Sequence, residues 1–312
     1  MNRKIVVFTM SPRQSQFEVD RLVAEAGKKG IEVNRALYRE LSFDIGRTQG
    51  SARTFVRGEE LTAENTMGLW FRVAGTKSGK YTEARNLAIR ILRKKTFCVN
   101  EKGYLGWTRM GKIAQHGVFL ENNIPIVPTK IFYTREQILS EAWEYPVIAK
   151  HERGYQGKSV RKFENKKEME DFVNKINEKN LGMFLWQKYL PTKWDIRVVI
   201  VDGRAIGAMK RSAVGEEFRS NFSLGGEVER WNLSEEERDL AEKVAKVCGL
   251  DYGGVDIMKN PKSENLNSKG YIEKDYDNYI LEVNRQCQFQ GFEKATEINV
   301  AKKIVEMIVK RA

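Results

Sequence analysis

The sequence predicts a mixed α/β and α+β chain, with an open α/β sheet first and two smaller α+β lobes after it. Three observations carry that prediction. Short apolar runs alternate with amphipathic helical stretches through the first third. The middle third changes to short strands around a glycine-containing turn. The last third opens on a strand hairpin and closes on apolar runs that end in carboxylate and amide side chains.

Taken in order, Ile5-Val6-Val7-Phe8 is a buried strand. Ser15 and Glu18 have the spacing of a capping box. Val19, Leu22, Val23 and Ala26 then follow at helical spacing, and Gly30 stops the helix. Residues 31–33 open a second strand and Leu69-Trp70-Phe71 makes another. Ala84, Leu87, Ala88, Ile91 and Leu92 mark a helix before Cys98-Val99. A helix through Ile113, Gly117 and Leu120 leads to Ile126-Val127-Pro128-Thr129. Pro146-Val147-Ile148-Ala149-Lys150 enters the glycine turn, Val160 to Phe163 leaves it, and Met169, Phe172, Val173 and Ile176 give a helix face.

Phe184-Leu185-Trp186-Gln187 starts the last third. Residues 196–201 and 204–209 pair through Asp202-Gly203, a favoured two-residue turn. Ser234 and Glu237 cap a helix carrying Leu240, Ala241, Val244 and Val247, stopped by Gly249. Ala301, Ile304, Val305 and Ile308 share one face of a closing helix. Residues 259–278 are polar and charged, with Pro261, and form a surface excursion. No internal repeat is visible. The expected domains are residues 1–110, 111–185 and 186–312.

At 312 residues and 41% hydrophobic content there is room for two or three packed domains. No apolar run could span a bilayer, and the first ten residues read as a strand, not as a signal peptide. Cys98, Cys248 and Cys287 are odd in number and far apart. They point to a reducing, cytoplasmic location and exclude a disulfide frame. A net charge of +12 favours anionic partners, but the basic residues are scattered among 42 acidic ones, so a nucleic-acid partner is not expected.

The chemistry gathers late. Gly254-Val255-Asp256-Ile257 and Ile280-Leu281-Glu282-Val283-Asn284 are apolar runs ending in oxygen ligands, and neighbouring strands would bring Asp256, Glu282 and Asn284 together. Glu282 and Asn284 point to one face of a strand. Mg²⁺ takes one or two carboxylates plus substrate phosphates. Strand-end carboxylates facing solvent or lysines are the plainer reading, but ionised groups inside apolar runs need a cation or another partner.

Gly154-Tyr155-Gln156-Gly157-Lys158-Ser159 lacks the Walker A spacing and lies between two strands. It reads either as an ordinary hairpin turn or as a flap whose backbone N–H groups cover phosphates. Lys150, just before it, either reaches a phosphate or snorkels out at a strand end. Arg219-Ser220-Asn221 with Gly225-Gly226 reads either as a generic polar loop or as a segment whose Arg219 stabilises a transferring phosphoryl group. His116 is expected to be structural, Cys287 a bystander thiol, and the tryptophans core or rim.

Lys150 with the glycine flap, Gln187-Lys188-Tyr189-Leu190, Asp195-Ile196-Arg197-Val198, Phe218-Arg219-Ser220-Asn221, Gly225-Gly226, Gly254-Val255-Asp256 and Leu281-Glu282-Val283-Asn284 occur in one series. As an ordered set this resembles the ATP-grasp superfamily, specifically the RimK-like carboxylate–amine ligases, over roughly residues 110 to 312. The first third then suits the α/β domain that precedes the ATP-grasp fold. The resemblance implies that Lys112, Lys150 and the flap residues Gly154, Gln156 and Gly157 contact phosphates. Gln187, Lys188, Tyr189 and Leu190 would form the adenine hinge, with Asp195 near the ribose. Arg219, Ser220 and Asn221 would meet the phosphates, Arg219 and Asn221 acting in catalysis. Asp256, Glu282 and Asn284 would hold two Mg²⁺ ions, for which Mn²⁺ can substitute.

The implied reaction phosphorylates a carboxylate with ATP, and an amine then attacks the acyl phosphate to give an amide. The carboxylate could belong to an acidic peptide or carrier protein. A small-molecule peptide or cofactor-biosynthesis ligase and a non-catalytic nucleotide-binding regulator are the alternatives, and a homo-oligomer is left open. Three departures stand out. Lys188 replaces a glutamate, residues 259–278 separate the metal residues, and Arg285-Gln286-Cys287-Gln288-Phe289-Gln290 replaces a Ser-Pro-Gly-rich segment.

Overall fold

The computed structural model describes residues 3–46, 51–73, 79–107, 110–154, 159–214, 226–260 and 276–312. The first third contains β1 (Lys4–Thr9), α1 (Gln16–Gly27), β2 (Val33–Leu37), β3 (Leu41–Ile45), β4 (Ala52–Val56), β5 (Glu59–Glu60), β6 (Thr66–Phe71), α2 (Thr82–Leu92), β7 (Phe97–Cys98) and α3 (Glu101–Gly106). Strands β2, β1, β6 and β7 pair in parallel in that order. This is the expected open α/β sheet, buried on both faces, which is why β1 and β6 read as continuous apolar runs.

The Ser15–Glu18 capping box does not form. Ser15 sits in the left-handed region at φ 53° with no capping bond. Its Oγ accepts from Arg72 Nε at 3.2 Å, and Glu18 Oε1 accepts from Phe289 N at 3.3 Å. The buried Arg72 guanidinium and a buried backbone amide claim these side chains, because leaving such groups unpaired costs more than a missing cap. The small antiparallel sheet of β3, β4 and β5 was not expected. Its clearest sign in sequence is Arg57-Gly58, a two-residue turn with φ 52° and 82°.

The middle third contains α4 (Lys112–Glu121), β8 (Thr129–Ile131), α5 (Arg135–Ser140), β9 (Val147–His151), β10 (Val160–Phe163), α6 (Lys166–Lys175) and β11 (Phe184–Lys188). An antiparallel sheet runs β10-β9-β11-β8. Its core packs Ile138, Met169 and Val173 against Val147, Ala149, Phe163 and Trp186. Phe119, not Leu120, is the buried apolar residue of α4; Leu120 is 74% exposed. The expected boundary between residues 185 and 186 falls inside β11, whose partners β8 and β9 both lie in this sheet.

The last third contains β12 (Trp194–Val201), β13 (Arg204–Ser212), β14 (Glu227–Trp231), α7 (Glu235–Val247), β15 (Tyr252–Lys259), β16 (Asn278–Asn284), α8 (Gln290–Thr296) and α9 (Val300–Arg311). The sheet order is β14-β13-β12-β15-β16, antiparallel throughout. Asp202 and Gly203 take φ 53° and 73°, as a tight turn between twisted strands requires. Ser234 and Glu237 do cap α7 reciprocally. Helix α9 joins the thirds: Ile304, Val305 and Ile308 share a core with Ile5, Leu22, Trp70, Val199 and Tyr252. Ile308 comes so close to β6 that a Cβ at Gly68 would lie 2.6 Å from it. Among the described residues no helix is long and apolar enough to cross a membrane.

Candidate active site

Register assembles the site. Across the large sheet Arg197 on β12 stands opposite Asp256 on β15, and Asp256 opposite Glu282 on β16. Asp195 and Arg197 share a face because they are two residues apart, and Asp195 pairs in register with Arg211 on β13. One sheet face therefore carries a row of charged side chains, Arg197, Asp256 and Glu282, with the Asp195–Arg211 pair beside it.

Asp256 is the centre of that row. Its oxygens accept from Arg197 Nε and Nη2 at 2.7 and 2.6 Å, and from Arg211 Nη2 at 2.9 Å. Arg211 Nε also donates to Asp195 at 2.6 Å. Burial works against the Asp256 carboxylate, but the two guanidiniums outweigh it and hold its pKa at about 2. The same pairing raises the Arg197 pKa despite burial.

Glu282 is placed differently. Asn284 Nδ2 donates to it at 3.1 Å, and Lys112 Nζ lies 3.2 Å away. Burial disfavours its charge and Lys112 favours it, leaving the pKa lowered. Lys150, on β9, faces the same cluster: burial pushes its pKa down to about 8, while Glu282 pulls the other way. Helix α4 is locked to β16 between Glu282 and Asn284, since Gln115 Oε1 accepts from Val283 N at 2.7 Å and its Nε2 donates to Val283 O at 3.2 Å.

Asp256, Glu282 and Asn284 thus come together as the sequence suggested. Among the described residues no three His, Cys, Asp or Glu side chains converge as a metal cage. A cation here would need the Asn284 amide and ligand oxygens as well. The donor set fits that role: it is all oxygen, and an ionised carboxylate has lone pairs beyond those Arg197 and Arg211 use. Asn284 presents its Nδ2 to both carboxylates, at 3.1 and 3.5 Å, so its oxygen would serve a cation only with the amide turned over. Among the described residues of the cluster, Lys112, Lys150, Arg197 and Arg211 outnumber Asp195, Asp256 and Glu282, a balance that favours an anion such as a polyphosphate with its own metal over a free cation.

The other expected residues are distributed as follows. Lys112 Nζ donates to Gly154 O at 2.8 Å, which ties α4 to the hairpin between β9 and β10. Gln156 and Gly157, and the whole Arg219, Ser220 and Asn221 segment, lie outside the described residues. Asp195, expected beside a ribose, is buried and bonded to Arg211. Gln187 is buried, with Nε2 donating to Thr129 Oγ1 at 2.7 Å. Tyr189 N, one of the expected hinge amides, donates to Pro146 O at 3.1 Å, and Leu190 O accepts from Thr192 N at 2.7 Å. Lys188 Nζ reaches Glu144 at 2.8 Å.

His116 is satisfied internally through Lys112 O at 2.8 Å and Thr129 Oγ1 at 3.1 Å, and burial lowers its pKa. Cys287 is buried, donates to Tyr252 OH at 3.3 Å and has a raised pKa. Neither is placed as a nucleophile or base. The departing segment turns to the first third: Arg285 Nη1 donates to Gly103 O and Trp107 O at 2.8 and 2.7 Å, and Gln286 Nε2 to Tyr104 OH at 2.8 Å. Sequence reasoning gave no role to Arg197, Arg211 or Gln115. The spacing of Asp195 and Arg197 could have signalled the first, and the hairpin register through Asp202-Gly203 the second.

Comparison with known proteins agrees with this geometry. The model of the RimK-like ATP-grasp domain matches residues 110–308. A probable alpha-L-glutamate ligase of Rhodopirellula baltica is 26% identical over 311 residues, covering 97% of this chain and 70% of that protein. Human beta-citrylglutamate synthase B is 29% identical over 211 residues, 65% of this chain and 48% of that protein. The match thus spans between about half and 70% of the length of these two relatives. A solved structure of the ATP-grasp ligase PsnB, complexed with a phosphomimetic variant of a minimal precursor, Mg and ADP, superposes with a TM-score of 0.74 at 19% identity, covering 100% of this chain and 99% of that one. That likeness shows the ATP-grasp fold. From residue 110 onward the chain belongs to the RimK-like ATP-grasp family.

Proposed function

We propose that the chain is an ATP- and Mg²⁺-dependent ligase that joins a carboxylate to an amino acid or another amine. The observation that carries this is the convergence of Lys112, Lys150, Arg197 and Arg211 on Asp256, Glu282 and Asn284. Phosphoryl transfer asks for positioning and charge neutralisation more than for a protein nucleophile, and neither His116 nor Cys287 is offered as one.

Mg²⁺ bound through Asp256, Glu282 and the Asn284 amide oxygen would neutralise phosphate charge. Lys112 and Lys150 bind and orient the phosphates as ammonium ions. Arg197 and Arg211 hold Asp256 ionised and fixed in direction. In the proposed reaction a substrate carboxylate oxygen attacks the γ-phosphorus and ADP leaves. The amine then attacks the acyl carbon and phosphate leaves, forming the amide. Arg219 and Asn221 are proposed to stabilise the transferring group, with Ser220 on the phosphates. Gln156 and Gly157 would cover them. Two ions, and replacement by Mn²⁺, are part of the same proposal.

An acidic peptide or carrier protein is the proposed source of the carboxylate, supported by the net charge of +12 and by the precursor-bound PsnB structure. The test is release of ADP and phosphate with pooled amino acids and acidic peptides, read with mass spectra of the condensation products. ATP binding without substrate-dependent ADP formation across a broad panel would favour a nucleotide-binding regulator instead. A cytoplasmic location is proposed from three buried free thiols; recovery from cells in a secreted fraction would contradict it.

A further inference from the structure

Helix α4 begins without a cap of its own. Its N-cap is Gly111, which has no side chain to offer, and its first turn holds no acidic residue. The first amides of a helix lack intrahelical partners and carry the positive end of its dipole. The acceptor comes from the hairpin that follows β9: Glu152 Oε2 accepts from Ile113 N at 2.7 Å. Glu152 Oε1 fills the space beside Gly111, where a Cβ would lie 1.7 Å from it.

Glu152 is fixed from behind as well, since its own N–H donates to Met183 O at 2.7 Å at the entry to β11. Two residues later Gly154 O accepts from Lys112 Nζ at 2.8 Å. The same ammonium lies 3.2 Å from Glu282. One series of contacts therefore runs from β11 through the hairpin base and the α4 N-terminus to the proposed metal carboxylate.

We propose that Glu152 is a positioning residue for nucleotide binding: it caps α4 from the hairpin, and so sets Lys112, held by the Gly154 carbonyl, against Glu282 before the phosphates arrive. The inference rests on the nucleotide reading above. Ordering these groups in advance removes a cost that binding would otherwise carry. Gly111 is the required counterpart. The atom that Gly111→Ala would strike is the tip of a flexible side chain, and the glycine backbone at φ −74° and ψ 165° suits any residue. That substitution therefore evicts Glu152 without disturbing the helix path. Two changes at separate places break one contact.

Glu152→Ala, Glu152→Gln, Gly111→Ala and the Gly111→Ala/Glu152→Ala double variant test this. MgATP affinity is measured by calorimetry, and amide exchange at Ile113 is measured without nucleotide. Each alanine variant should weaken MgATP about tenfold, the scale of one charge-assisted hydrogen bond, and should speed exchange at Ile113. The double variant should be no worse than either single one, because the contact is already lost. Glu152→Gln keeps an acceptor oxygen and should recover most of the affinity, which a purely charge-based role would not give. Wild-type affinity and exchange in Glu152→Ala, or additive losses near about a hundredfold in the double variant, would overturn the proposal. A wild-type chain with no affinity for ATP would remove the nucleotide reading and this role with it. Exchange at Ile113 would then report on the cap alone.

Discussion

The two strands that carry Asp256 and Glu282 hold these carboxylates in opposite ways. On β15 the Asp256 side chain is 3% exposed and enclosed by two guanidiniums within 2.9 Å. On β16 the Glu282 side chain is 29% exposed and has Lys112 at 3.2 Å. Asp256 is enclosed and Glu282 is only half-buried. The difference separates two settings that the sequence presents as one motif: one carboxylate is tied into the sheet face by arginines, and the other is partly open beside Lys112.

Removing the enclosed carboxylate should therefore have the largest effect on the fold. Asp256→Ala leaves Arg197 and Arg211 buried beside each other, a loss of about 3–5 kcal/mol on the scale of broken buried pairs. Urea unfolding measures it, and a loss under about 1 kcal/mol would mean that the arginines find other partners. The pH dependence has a definite sign. The Asp256 pKa is lowered from 3.8 to about 2, so its stabilisation is complete above the unfolded value and fades as pH falls through about 2.

Glu282→Gln should reverse the pattern. Its effect on unfolding should stay within about 1 kcal/mol, as for an accessible ion pair, while substrate-dependent ADP release falls by at least about a hundredfold. Near-normal release would remove Glu282 from the site. A smaller effect, confined to alkaline pH, belongs to Lys150. Its pKa near 8 means that the ammonium proposed to bind phosphate is lost as pH rises through that value. The kcat/KM for ATP should decline above about pH 8, since that parameter reports ionisations of the free enzyme. A flat profile from about pH 7 to about pH 9.5 would contradict the assignment. Smallest of all, Cys287→Ala should cost about 1 kcal/mol of packing and leave MgATP affinity unchanged. A marked loss of affinity would make the thiol more than a bystander.

Much of the architecture was legible because it follows from periodicity and turn chemistry. Asp202-Gly203 and the Ser234–Glu237 box behave locally, so their geometry is set by residues next to them. The failures are tertiary. Ser15 and Glu18 have the right spacing for a cap, but Arg72 and Phe289, distant in sequence, take their oxygens. Arg72 itself is buried, with both its Nη2 bonds going to the backbone of Gln286 and Cys287.

The site divides in the same way. Asp256, Glu282 and Asn284 could be brought together from strand period alone. The partners that distinguish Asp256 from Glu282 could not, because Arg211 reaches it through β13 and β12, and Lys112 arrives from a helix in another third of the chain. Gln115 and Glu152 carry no motif at all. Their roles come from where α4 docks, which no local pattern encodes.

The most direct measurement is ATP affinity with and without Mg²⁺ in the wild type and in Glu282→Gln, by calorimetry. The expected result is that Mg²⁺ strengthens ATP binding in the wild type and that this enhancement disappears in the variant, with metal-free affinity retained. An enhancement of equal size in both proteins would contradict the division of labour between Asp256 and Glu282 and the proposed metal site with it.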